Sequence, residues 1–156
     1  MPSFETDLEM DIPASRLWKT LVNANTTLPK IAPLFIASID VIDGTAGQVG
    51  EVTHVKLGPI APDGAFVEEK RIDLNEETLT IASEELRGGH LAVGFSKWIA
   101  TLKLVPIGED KVKVISTVDY ETEENADVSL AITQAKEGLP MLFHSVEQYL
   151  ASTPDL

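Results

Sequence analysis

Glu68, Lys70, Ser83 and Glu85 are the residues whose types and spacing could do chemistry. Glu68 and Lys70 lie two apart in the run Phe66–Leu74, and Ser83 and Glu85 lie two apart in Thr78–Leu86. Residues two apart on a strand share a face. Ile72 and Leu74 in the first run, with Leu79 and Ile81 in the second, assign that face to the apolar side. An ammonium between carboxylates, next to a hydroxyl, can orient the polar end of an otherwise apolar ligand. Charges in such a place must pair or shift their pKa values. The same alternation is met if these side chains simply reach solvent at a sheet rim, and both arrangements stay open. Lys70 and Glu68, joined by Tyr120, also contain the groups of a lysine-based proton transfer, without a geometry to support it.

Other chemistries fit poorly. His54, His90 and His144 are scattered without metal-ligand spacing, and each reads as a surface residue. The acidic stretch Glu121–Asp127 lacks the calcium-loop pattern and reads as a solvated loop placing negative charge at a helix N-terminus. Gly44, Gly47 and Gly50 lead into a strand with no following lysine, so they suit a tight hairpin needing positive φ, not a phosphate cradle. No serine–histidine–acid set is legible. We therefore assign no catalytic residue, no metal and no cofactor. The net charge of −13 disfavours nucleic acid and anionic membranes. No cysteine is present, so disulfides and thiolate sites are excluded. With neither a signal peptide nor a spanning segment in view, we expect a cytoplasmic protein, with the nucleus a further compartment.

The elements that must position these residues follow from periodicity. Phe4–Ile12 alternates as a strand, and Pro13–Asn23 has helical apolar spacing after a proline suited to a first turn. A second short helix, capped by Asn25 or Thr26, ends before Pro33. Leu34–Ile42, Val52–Leu57, Phe66–Leu74, Thr78–Leu86, Leu91–Val105 and Lys111–Tyr120 are six further strands joined by short turns, hence an antiparallel meander. From Val128 to Leu150 one apolar stripe holds the 3.6 period, and Pro140 should kink this long helix. The chain, residues 1–156, is thus one α+β domain: a seven-stranded curved antiparallel sheet around a long C-terminal helix, with two short helices after strand one.

Asp11–Lys19, Leu28–Pro33, the Ile42-Asp43-Gly44 loop with Gly47 and Gly50, Arg87-Gly88-Gly89 and the closing Val146–Leu150 together resemble the Bet v 1-like, class-10 pathogenesis-related proteins of plants. These are helix-grip proteins of the START-like superfamily. Gly88–Phe95 is most similar to the cytokinin-specific binding branch. The resemblance implies an internal cavity, a defence-related role, and storage or transport of a small apolar ligand such as a cytokinin, another hormone or a flavonoid. It also implies two alternatives: a receptor of abscisic-acid type that inhibits a protein phosphatase, and a condensing enzyme of norcoclaurine-synthase type. Ribonuclease activity, proposed for the family, is unattractive at this charge. Where relatives carry a lysine in the strand after the glycine loop, this chain has Thr53, with Lys70 one strand later.

Strand parity turns Trp98, Ala100, Leu102, Val114 and Ser116 inward, because Lys97 and Lys103 need the outside. The expected cavity lining is Leu21, Ile36, Thr53, Val55, Glu68, Lys70, Ile81, Ser83, Glu85, Trp98, Ala100, Leu102, Val114, Ser116, Leu139 and Leu142. A small apolar molecule is the expected partner of a monomer.

Overall fold

Turn residues divide the chain as their backbone preferences require. The computed structural model describes residues 1–153. In chain order the elements are β1 (Ser3–Met10), α1 (Ala14–Val22), α2 (Ala24–Ile31), β2 (Ile36–Asp43), β3 (Val52–Leu57), β4 (Phe66–Asn75), β5 (Thr80–Gly88), a single 3-10 turn (Gly89–Ala92), β6 (Phe95–Gly108), β7 (Lys111–Thr122) and α3 (Ser129–Ser152). All sheet pairings are antiparallel, in the order β1-β7-β6-β5-β4-β3-β2. This is the curved helix-grip sheet that the periodicity predicts.

Several boundaries differ from the sequence expectation. The second helix starts at Ala24 with Asn23 at its N-cap, earlier than a cap at Asn25 or Thr26 implies. The sixth strand starts at Phe95, because Gly88, Gly89 and Gly94 take φ of 70, 51 and 107° and turn the chain first. Pro140 lies within α3, where the sequence places it.

The core has two parts. The larger joins α1, α2 and the end of α3 to the sheet through Leu17, Trp18, Ile31, Leu104, Val112, Val114, Phe143, Val146 and Leu150. The smaller is aromatic: Phe95, Trp98 and Val118 pack with Phe4, Tyr120 and the first turns of α3 at Val128, Ala131, Ile132 and Ala135. Burial of such side chains contributes roughly 1.5–3 kcal/mol each. Among the described residues no helix is long and apolar enough to cross a membrane.

The inner face of β4 carries the main surprise. Arg71 pairs with Ser83, but the next partners are Asp73 with Ala82 and Leu74 with Ile81, so β4 holds one extra residue, a bulge at Ile72. A bulge inverts the side-chain alternation on either side of it. Leu74 packs on the core, Ile72 is 40% exposed, and upstream it is Glu69 and Arg71, not Glu68 and Lys70, that turn inward. The expectation that Glu68 and Lys70 face the interior is therefore corrected: Lys70 is exposed, and Glu68 lies on the outer face.

Candidate ligand cavity

Cross-strand register builds the inner wall row by row. Thr53, Glu69 and Glu85 are successive partners across β3, β4 and β5, and Arg71, Ser83 and Ala100 form the next row. Thr53, Arg71 and Glu85 are buried, whereas Glu69, Ser83, Ala100 and Leu102 are only half-buried although they point toward α3. Leu139 and Leu142 on α3 are half-buried as well. Ala100 packs against the aromatic cluster and Leu102, Leu139 and Leu142 against the larger core, each keeping some accessible surface.

The polar groups of this wall are mostly committed. The Arg71 guanidinium donates to the Leu21 carbonyl at 3.3 Å and the Val22 carbonyl at 3.2 Å, in the last turn of α1. Its Nη1 is also 4.0 Å from the Glu51 carboxylate. Glu51 in turn accepts the Gly47 backbone N–H. Gly44, Gly47 and Gly50 have φ of 75, 78 and 92°, and a Cβ on Gly44 would lie 2.5 Å from the Gly50 carbonyl oxygen. The glycine loop is thus folded against the same carboxylate that Arg71 approaches.

Glu85 is committed to one residue. Its carboxylate accepts the His90 backbone N–H at 2.7 Å and meets His90 Nδ1 at 2.7 Å. The His90 ring stacks on Trp98 with centroids 3.5 Å apart and planes 4° apart. Phe95 meets Trp98 edge-on at 4.9 Å. Glu69 makes no hydrogen bond among the described residues. Burial, reinforced by the Glu85 charge and only partly offset by Arg71, pushes its carboxyl up to about 7.

A cavity of about 460 Å³ opens between the β3–β4 loop (Leu57, Ala61, Pro62, Gly64, Ala65, Phe66), the turn Gly88–Val93 and the α3 residues Ala131, Gln134 and Ala135. Its walls are apolar or small, and His90 and Gln134 are its polar side chains. A Cβ on Gly89 would lie 2.8 Å from Glu85 Oε1 and 2.8 Å from Val67 Cγ2, so only glycine lets the turn approach the inner wall this closely.

None of the side chains assigned to the cavity from sequence borders this opening. Leu21, Ile81, Trp98 and Val114 are packed core, and Ser116 is 5% exposed. Thr53 and Val55 are buried on the inner face of β3, and Ile36 is half-buried against the larger core. His90 corrects a second expectation: it is half-buried and bonded, not a plain surface residue. His54 is also engaged, outside, where its Nδ1 is 2.8 Å from Glu68 and its ring stacks on Phe66. Arg87 donates to both Glu68 oxygens at 3.0 Å, and these two partners hold the Glu68 carboxyl down at about 2. Sequence reasoning missed Glu69, Arg71 and His90. The Gly88-Gly89 pair before His90 was the available signal for a turn folded onto the wall.

The sequence matches the description "Pathogenesis-related protein Bet v 1 family" over residues 1–153. It is 29% identical to norbelladine synthase of Narcissus pseudonarcissus over 84% of this chain and 82% of that protein. It is likewise 29% identical to the major allergen Mal d 1 of Malus domestica over 98% of this chain and 96% of the allergen. Among solved structures, major latex-like protein 151 of Panax ginseng superposes with a TM-score of 0.81 at 19% identity, covering 96% of this chain and 97% of that one. Norcoclaurine synthase of Thalictrum flavum, solved with dopamine and hydroxybenzaldehyde, gives 0.77 at 18% identity over 97% and 87%. At these identities the two structures establish a shared fold alone.

Proposed function

The chain belongs to the Bet v 1 family of pathogenesis-related proteins, and we propose that it binds and carries a small apolar molecule between its sheet and α3. The cavity of about 460 Å³ is the observation that carries this reading. It combines an apolar lining with few polar groups, the composition of a small-molecule site. The ligand enters between the β3–β4 loop, the Gly88–Val93 turn and α3, where His90 and Gln134 are the bordering polar side chains. Beyond that lining, Glu69 is the inner-wall polar group without a hydrogen bond among the described residues, since Arg71 and Glu85 have partners.

A carrier is favoured over a condensing enzyme, the activity named for two similar proteins. Chemistry of that type would draw on a lysine inside the cavity. Lys70, the sequence candidate, is exposed on the outer face, and no lysine among the described residues is buried.

Cytokinin is the ligand to test first, because its N–H groups suit an acceptor such as Glu69. A calorimetric titration with trans-zeatin should saturate near one-to-one, at micromolar or tighter affinity, and weaken in Glu69→Ala. Absence of saturable heat with zeatin, flavonoids and abscisic acid alike would overturn the carrier reading.

A further inference from the structure

We propose that His90, clamped by Glu85, is an oriented hydrogen-bond acceptor for an aromatic hydroxyl at the cavity mouth. The proposal rests on the ligand-binding reading above. Glu85 takes both the backbone N–H and Nδ1 of His90, each at 2.7 Å. A carboxylate on Nδ1 keeps the proton there and leaves the lone pair on Nε2. The Trp98 stack at 3.5 Å fixes the plane of the ring, and Phe95 meets its edge with centroids 5.8 Å apart. Among the described residues Nε2 has no hydrogen-bond partner, and no enclosed side-chain nitrogen or oxygen lacks one. Nε2 is therefore accessible, on a side chain that borders the cavity. The backbone N–H bond to Glu85 would suffice to tie the turn. The second bond and the stack go further, because they aim a base of defined tautomer.

The surroundings select the ligand class. Glu51, Glu69 and Glu85 outnumber Arg71 on the inner wall, and the α3 residues bordering the cavity (Ala131, Gln134, Ala135) are uncharged. An anion is disfavoured there, whereas a neutral O–H donor satisfies the lone pair. Leu57, Phe66, Ala131 and Ala135 offer apolar surface to the attached ring.

The test compares 2-naphthol with its methyl ether, 2-methoxynaphthalene, which keeps the ring and loses the donor. Both are titrated into the full chain and into His90→Phe, which retains an aromatic ring against Trp98. The wild type should bind 2-naphthol about tenfold more tightly than the ether, the value of one modest hydrogen bond, and the variant should bind both alike. In ¹⁵N spectra of the unmodified protein, Nε2 of His90 should shift with 2-naphthol and not with the ether. Equal affinities in the wild type, a preference that survives in His90→Phe, or an unmoved Nε2 would each overturn the anchor while leaving the cavity in place. Binding of neither probe would overturn the cavity reading and the anchor with it.

Discussion

Glu69 and Glu85 are direct cross-strand partners on the inner face of β4 and β5, and of the two only Glu85 has a hydrogen-bonded companion, His90. One carboxylate is satisfied, and its charge helps to deny ionisation to the other. The wall therefore stores an unfavourable charge that several measurements should reveal.

Stability should depend on pH through Glu69. Its folded value of about 7 exceeds the ordinary 4.5, so the folded state holds the proton more tightly than the unfolded state. Folding is least penalised below 4.5, and the penalty grows as pH rises to 7 and then levels off, reaching on the order of 3 kcal/mol. Glu69→Gln should raise the melting temperature at pH 8 and change it little at pH 4. Equal effects at both pH values would contradict the burial of this carboxyl.

Glu68 should behave in the opposite sense. Its carboxyl is held at about 2 by Arg87 and His54, so its contribution is present above 4.5 and fades as pH falls toward 2. Carboxyl ¹³C titration should place the midpoint near that value, and Arg87→Ala should return it toward 4.5. An unmoved midpoint would mean that the bidentate contact does not persist in solution.

Arg71 should be costly to remove. It caps two carbonyls of α1 and lies against buried Glu51. Arg71→Met removes the guanidinium from those carbonyls and leaves the buried Glu51 charge without its cation, and urea denaturation should register a loss of roughly 3 kcal/mol. The double variant Arg71→Met/Glu51→Gln should recover part of it. Strict additivity would show that the two side chains do not interact.

Two glycines should respond with opposite signs. Gly138 lies inside α3 with open space where a Cβ would sit, so Gly138→Ala should stabilise by about 1 kcal/mol and raise the melting temperature by a few degrees. Gly89 has φ of 51° and no room beside Glu85 and Val67, so Gly89→Ala should destabilise and disturb the cavity mouth. Differential scanning calorimetry of the pair decides both.

Local sequence carried the architecture well. Alternating strands, prolines at Pro13 and Pro33 and the apolar stripe from Val128 to Leu150 state local preferences that the tertiary fold does not override. The wall was legible only where alternation was unbroken: Lys97 and Lys103 orient β6 because no bulge intervenes between them and their partners on β7. On β4 the inference ran from Ile72 and Leu74 backward across the bulge and so returned the wrong pair of charges. His90 was hidden for another reason. Its neighbours Glu85 and Trp98 come from two other stretches of chain, and a turn through Gly88 and Gly89 brings them together.

The extra residue at Ile72 makes the lining of this protein depend on strand register as well as on residue identity. Deleting Ile72 would restore simple alternation and leave Glu69 and Arg71 inward, whereas flattening the bulge with no residue lost would present Glu68 and Lys70 in their place. Loss of the bulge at constant length would exchange a guanidinium that caps a helix for an ammonium free to meet a ligand. Transferring ligand contacts between relatives along this strand therefore demands counting residues from the bulge, since a gap placed one position away reassigns every contact before it.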